Sequence, residues 1–477
     1  MRRATDRFPN ESFDLLVIGG GITGACVARD ASRRGLKVAL VERRDFAGAT
    51  SAHNSRLIHG GLRYLRNFEL GLVRESLRER RIWQRTAPGF VHPLPFLVPV
   101  HDGGSRATLA AGLTLYDLLS FDRGKTMPGH SWLSAEEARR REPVLDSPGL
   151  KGAFVYYDAQ MPSPERLALD VLFDADAHGA AIANYVAAER LLLRDGKVQG
   201  CGVRDTISGA VFDIRAKATL VAAGPWADIF LEHALGRPAS HKLMRSKGIH
   251  VLVPSVTREF ALTMATPHGH FFVLPWQGHT ILGTTDTAFA GDPDAVGVSG
   301  ADIDAFFAFI NRYLPQAALT RGSVEHFYAG LRPLVDDGSG DTYGASRRAE
   351  LVDHGKDDGL DGLFSAIGGK WTTSRRLAEQ VVDRLVEKLA VRTRQCETAS
   401  EPLPGRVRAD VATAVREEMA LTLEDYVMRR STLGLFGPPA PATVDEIARA
   451  MTAALGWSEA RRQSEIASLA PLYEMQP

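Results

Sequence analysis

At 477 residues, with 44% apolar and 24% charged side chains, the chain is long enough for two or three domains around a large core. Its 57 Lys and Arg balance 57 Asp and Glu, which excludes a whole-chain field for nucleic acid and confines any anion site to a local arrangement. The three cysteines, Cys26, Cys201 and Cys396, show no CxxC or metal-ligand spacing; they exclude a disulfide framework, fit a reducing compartment and are expected to be structural thiols, with no metal site.

The leader MRRATDRFPNES has two early arginines but no apolar stretch of signal-peptide type after it. The run Leu15 to Ile18 is short and continuously apolar, as in a parallel strand buried on both faces. Gly19, Gly21 and Gly24 follow in the spacing G-x-G-x-x-G, which a strand-to-helix turn needs for a tight bend, a close approach to pyrophosphate and helix–sheet packing. Ala25, Val27, Ala28 and Ala31 suit a helix lying on a sheet, and Gly35 supplies its stop. A second strand, LKVALVE, ends at Glu42, where the dinucleotide fold places an acid on the adenosine ribose. That acid repels a 2′-phosphate, so FAD or NAD is expected rather than NADP.

ATSAHNSRLIHGGLRYL, Ala49 to Leu65, offers the hydroxyls of Thr50, Ser51 and Ser55 to phosphates or ribityl groups. Gly60-Gly61 would let backbone pass close to a flat ring, and Arg63 follows; a loop capping the next helix is the plainer alternative. The run from Arg74 to Arg85, RESLRERRIWQR, reads either as a membrane-surface contact or as a solvated helix face. No segment reaches the length of uncharged apolar residues that a spanning helix requires, so a cytoplasmic protein is expected, at most peripheral on the cytoplasmic face of a membrane.

Arg190 to Asp205 predicts two strands about the turn Asp195-Gly196, and RAKATLVAAGPWAD returns the chain to the dinucleotide-type sheet. GIHVLVP, HFFVLPWQGHTILGTTD and VEHFYAGLRPL predict an inserted antiparallel sheet. RSKGIHVLVP presents His250, suited to proton removal near neutral pH, although a lone histidine is commonly structural. In YAGLRPLVDDGSGDTYGASRRAEL, Arg332 and Arg347 offer planar forks for a phosphate or carboxylate, with exposed loop arginines as the alternative. In LFSAIGGKWTTSRRLAEQVVDRL a strand meets Gly368-Gly369 and Lys370, then a helix whose first turn holds Thr372, Thr373 and Ser374 as caps. Such a helix start, with Lys370 beside it, favours negative charge on a flavin. After the polar, proline-bearing ETASEPLPGR the pattern is helical, interrupted by GPPAPA.

GGGITGA, LIHGGLRYL, AAGPWAD, KGIHVLVP, ILGTTD, GLRPL and IGGKWTT, in this order, resemble the FAD-dependent glycerol-3-phosphate dehydrogenases and the related glycerophosphate oxidases. The resemblance covers nearly all of Phe13 to Leu385, and PLPG with LEDYVMRRSTL resembles that family's C-terminal helical domain. It implies an α/β fold: a Rossmann-type FAD-binding domain (12–105, 160–235 and 355–392), an inserted DAO-like antiparallel-sheet substrate domain (106–159 and 236–354) and a small helical domain (404–477). It implies FAD on Gly19, Gly21, Gly24, Glu42, Thr50, Ser51, Ser55, His59, Gly60, Gly224, Gly369, Lys370 and Thr372, and a polyol phosphate on Arg63, Arg332, Arg347 and Lys370. The implied reaction is oxidation of sn-glycerol 3-phosphate to dihydroxyacetone phosphate, a hydride leaving C2 for flavin N5 and electrons passing to a quinone. Oxygen as acceptor, or a flavin-holding protein without turnover, are the alternatives. His250, Arg332 and Lys370 are the expected catalytic residues; because arginine stays protonated, His250 is the base and Arg332 polarises the oxygen. GTTD, Gly283 to Asp286, is expected at the pocket mouth. Two features depart from the family: His53, Asn54 and Arg56 replace small hydroxyl residues and a lysine, adding bulk near the flavin, and PLPG lies close to LEDYV, which predicts a reduced C-terminal domain. Membrane-surface contact and a homodimer are the partner expectations.

Overall fold

The computed structural model describes residues 1–65, 68–121, 126–266, 269–335 and 349–477, without the side chains of 63, 103 and 104. Among the described residues, two sheets organise the chain. The first has eight strands: Ala349–Asp353, Leu363–Gly368, Val211–Val221, Ser12–Ile18, Val38–Val41 and Ala181–Ala183 in spatial order, with the hairpin Val186–Arg194/Lys197–Asp205 added at Val211–Val221. Its centre is parallel, as buried apolar strands predict, and Leu15, Leu16 and Val17 are fully enclosed. The helix Ile22–Arg33 packs on this sheet beside Pro164–Ala177 and Ser374–Leu389. Small residues make that approach close: a Cβ at Gly24 would stand 1.9 Å from the Gly19 carbonyl oxygen. Asp195 and Gly196, both with positive φ, close the expected hairpin.

The second sheet has ten strands and is mainly antiparallel. Leu243–Pro254 pairs with both His279–Gly283 and His326–Val335, and the helix Gly300–Tyr313 buries Ile303, Phe306, Phe307 and Ile310 against the sheet. Strand pairing crosses the expected domain boundaries. Leu57–Ile58 and His92–Val100, from the expected first FAD-binding segment, bond to Gly152–Gln160 in the second sheet. Ala349–Asp353, from the expected substrate segment, edges the first. Each strand continues a sheet already formed, so hydrogen-bonding register, invisible in local pattern, decides its membership.

The C-terminal region is helical: Val411–Glu417, a π-helical turn Asp425–Arg430, Pro441–Leu455 and Glu459–Ala467, around Leu423, Val427, Ala448 and Met451. Among the described residues no helix is long and apolar enough to cross a membrane.

Candidate active site

At the C-terminal edge of the parallel strands lies a cavity of about 510 Å³. Gly19, Gly21, Glu42, Thr50, Ser51, Ser55, His59, Gly224, Gly369, Lys370, Thr372 and Arg332 all line it. Gly19 has φ +115, and a Cβ there would stand 2.5 Å from the Ala222 carbonyl oxygen, so this turn requires glycine. The N-cap residue of the helix beginning at Ile22 is Gly21, which offers no side chain; Ser51, from a later loop, caps it instead, its Oγ accepting from Ile22 N–H at 2.9 Å. Ser51 keeps its own hydroxyl proton for donation to a bound anion. Glu42 accepts from Gly20 N at 2.7 Å and Arg44 N at 2.9 Å. Burial raises its carboxyl pKa, and those two backbone donors offset the rise.

The substrate end is assembled from both sheets. Arg332 Nη1 donates to Ser246 Oγ at 3.0 Å; Nη2 donates to Thr284 Oγ1 at 2.7 Å and the Thr285 carbonyl at 3.0 Å. A Cβ at Gly248 would stand 2.3 Å from Arg332 Nη2, so this glycine makes room for the guanidinium. Lys370 follows Gly368 and Gly369, both at positive φ, with Nζ 3.9 Å from the centre of the Tyr64 ring and 3.2 Å from Ser76 Oγ. Ser55 Oγ lies 2.9 Å from His250 Nε2. The His250 ring stacks on Tyr328 at 5.0 Å and is buried; burial first, then Arg332, Arg56 and His53, hold its pKa well below the ordinary imidazole value.

Several expected placements differ. His250 is absent from the cavity lining, and Ser55 stands between the two. Gly60 also faces away: a Cβ there would meet Tyr116 Oη at 2.4 Å and Leu77 Cδ2 at 2.5 Å, so packing against helices, rather than a flat ring, requires the glycine. Gly24 serves helix–strand packing and does not line the cavity either. The GTTD residues hold Arg332 instead of shaping the mouth. Thr50 Oγ1 donates to the Leu331 carbonyl at 2.7 Å. The helix after Lys370 starts only at Ser374, without a side-chain cap; Thr372 Oγ1 accepts from His59 N at 3.2 Å and Ser374 Oγ donates to the Trp371 carbonyl at 2.8 Å.

Of the departing residues, only Asn54 lines the cavity. His53 lies tilted against the Tyr328 ring at 5.5 Å, while Arg56 points into the core, donating to the Pro162 carbonyl at 2.7 Å and pairing with Glu165 at 3.3 Å. Arg347 lies outside the described residues, as does the side chain of Arg63. Trp226, with Arg43 stacked 4.8 Å from its ring centre, and Trp371, which donates to the Ser51 carbonyl, are cavity residues that the sequence reading did not single out. Trp226 stands in AAGPWAD; an aromatic directly after Gly224-Pro225 at the end of a sheet strand was the signal available. Among the described residues no group of three or more His, Cys, Asp and Glu side chains is placed to hold a metal ion.

The family model described as FAD dependent oxidoreductase matches residues 14–384, and that of the C-terminal domain of alpha-glycerophosphate oxidase matches 368–462. This chain belongs to the FAD-dependent oxidoreductase family. Within it, the chain is 41% identical to a glycerol-3-phosphate dehydrogenase of Synechocystis sp., over 83% of this chain and 74% of the relative. It is 34% identical to glycerol-3-phosphate dehydrogenase 2 of Mycobacterium tuberculosis, over 98% and 88%. These relatives place it in the glycerol-3-phosphate dehydrogenase branch. The crystal structure of the glycerol-3-phosphate dehydrogenase from Bacillus halodurans, complexed with FAD, superposes with a TM-score of 0.80 at 25% identity, covering 99% of this chain and 98% of that one. FAD is the cofactor of this family, and the site fits it: a glycine cradle that a Cβ would fill, the Ser51-capped helix start for the pyrophosphate and Glu42 for the ribose.

Proposed function

We propose that this protein oxidises sn-glycerol 3-phosphate to dihydroxyacetone phosphate and passes the electrons to a quinone. The reading is carried by one juxtaposition: Ser55, Arg332 and Lys370 line the same cavity as the dinucleotide-binding glycine turn. Bound FAD supplies the acceptor for the hydride that leaves C2. Lys370 and Arg332, the latter 3.8 Å from the Asp286 carboxylate, bring two cationic groups to this end of the cavity, suited to a phosphate ester and to an alkoxide developing at C2. Arg332 is held by Ser246, Thr284 and Thr285 in one orientation and stays protonated, so it clamps and polarises without accepting a proton. The proton therefore leaves the C2 hydroxyl for Ser55 Oγ as the Ser55 proton moves to His250 Nε2. Burial and the neighbouring cations keep His250 neutral, hence able to accept, at neutral pH.

The acceptor distinguishes this from a second reading, a peroxide-forming oxidase, which the match of the C-terminal region to an alpha-glycerophosphate oxidase domain favours. Purified protein supplied with sn-glycerol 3-phosphate and a water-soluble quinone is expected to form dihydroxyacetone phosphate with little peroxide. Peroxide as the main reduced product would replace the quinone reading by the oxidase one; neither product, with FAD bound, would overturn the substrate assignment.

Contact with a membrane surface is part of the proposal. Phe68 is 85% exposed, Leu118 63% and Phe121 61%, and Arg74 stacks on the Phe121 ring at 5.7 Å. Apolar tips beside arginines suit an anionic bilayer. The protein should sediment with anionic lipid vesicles, and Leu118→Glu/Phe121→Glu should release it; equal sedimentation of both would refute the contact.

A further inference from the structure

The C-terminal region reaches the cofactor cavity through two arginines that no expected site residue includes. Asp45, in the loop just after Glu42, lines the cavity yet is only 1% exposed. Arg430 grips it bidentately, Nη1 to Oδ2 at 2.7 Å and Nη2 to Oδ1 at 2.8 Å, and Arg429 Nε adds a bond to Oδ2 at 2.5 Å. Asn184 Nδ2 completes the shell, donating to Asp45 Oδ1 at 3.1 Å and to the Met419 carbonyl at 2.9 Å. Arg429 is itself fixed by Asp425, which accepts from Tyr185 Oη at 2.7 Å. From Asp45 the loop folds back onto the glycine turn, where Ala47 N–H donates to the Gly20 carbonyl at 3.1 Å. Hydrogen bonds to Asp45, the short chain segment 45–47 and the Ala47 bond thus link Asp425–Arg430 to the pyrophosphate cradle.

Charge gives the path a purpose. Glu42 and Asp45 put two carboxylates on the wall that faces the adenosine half of a dinucleotide whose pyrophosphate is itself anionic. Burial alone would raise the Asp45 carboxyl; Arg430 and Arg429 overcome it and hold the group well below the carboxylate range. They supply the countercharge that lets an ionised Asp45 shape the loop without repelling the cofactor.

We propose that Arg429 and Arg430 are positioning residues for FAD: by clamping and neutralising Asp45 they hold loop 43–49 in the form that binds the adenosine half, so that cofactor retention depends on the docked C-terminal region. The proposal concerns cofactor retention and stands whichever substrate or acceptor the enzyme uses. Its test measures the Kd for FAD by flavin fluorescence and ultrafiltration on full-length wild type, R430Q, D45N and D45N/R430Q. A comparison variant, M451A, opens a cavity in the core of the same region, where Met451 is fully buried, without removing a partner of Asp45 or Arg430. R430Q should weaken FAD about tenfold or more by removing the bidentate half of the clamp and leaving Asp45 with Arg429 alone. D45N/R430Q should bind FAD no more weakly than D45N alone, because Arg430 acts through Asp45. M451A should retain FAD like the wild type even where its melting temperature falls. If R430Q does not fold, R430K, which keeps the charge but loses the fork, serves instead and should show a smaller loss in the same direction. Wild-type affinity in the Arg430 variant, a loss undiminished when Asp45 is already Asn, or an equal loss in M451A would each overturn the proposal.

Discussion

Ser55→Ala isolates the proton path from everything else the site does. The hydroxyl lines the cavity 2.9 Å from His250 Nε2, and its removal leaves the buried imidazole without that partner, while Nδ1 has none among the described residues. An unmet buried polar group costs about 1–3 kcal/mol of stability, so the melting temperature should fall by a few degrees without loss of fold. Loss of the route to the base should cost more in chemistry, about 10²–10⁴ in the rate of flavin reduction. In the proposed site Arg332 and Lys370, rather than Ser55, grip the phosphate, so KM should stay near its wild-type value while kcat falls. Anaerobic stopped-flow reduction with C2-deuterated and unlabelled sn-glycerol 3-phosphate reads the step directly. A reduction rate within about threefold of wild type, with an unchanged isotope effect, would refute the Ser55–His250 route and leave the proton to another cavity group.

Other outcomes follow from the same geometry. His326 and His250 are 4% and 3% exposed; burial, followed by His53 and Arg56, lowers His326 to about 3, and His250 also titrates well below 6.5. Both stay neutral in the native state while the unfolded chain takes up protons below pH 6.5, so their stabilisation is complete above pH 6.5 and is lost as pH falls. The slope is about 1.4 kcal/mol per pH unit for each histidine; urea midpoints from pH 7 to 5 should fall, less steeply for His326→Phe, and identical slopes would contradict this. Glu165→Leu leaves Arg56 buried without its carboxylate and should cost about 3–5 kcal/mol, measured by urea unfolding. Gly60→Ala drives a methyl into Tyr116 and Leu77 and should cost about 1–3 kcal/mol; a neutral result would mean that the loop has room to shift.

The sequence made legible what is decided within one turn of chain. Gly19, Gly21 and Gly24 are set by the backbone of a single strand–turn–helix unit, and Glu42 by the strand that follows, so spacing sufficed for them. The hairpin about Asp195-Gly196 and the helical character after Pro404 were legible for the same reason. Direction within loops was not. Gly60 faces Leu77 and Tyr116, and Arg56 turns into the core toward Glu165, because loop residues have no period of 2 or 3.6 to fix which way they point. The longest links were the least visible: Ser55 meets His250 across 195 positions and Asp45 meets Arg430 across 385, through sheet register and domain docking that no local pattern encodes. The expected hydroxyl caps at Thr372 to Ser374 failed because two more residues of turn precede the helix, leaving Thr372 to accept from His59 instead.

The most direct test of the account is anaerobic addition of sn-glycerol 3-phosphate to the FAD-loaded protein while the visible flavin band is followed, with glycerol as the control. The cationic pair Arg332 and Lys370 makes the phosphate part of the recognition, so the phosphate ester is predicted to bleach the flavin and glycerol to leave it oxidised. Flavin that stays oxidised with the phosphate ester, or that glycerol bleaches equally well, would contradict it.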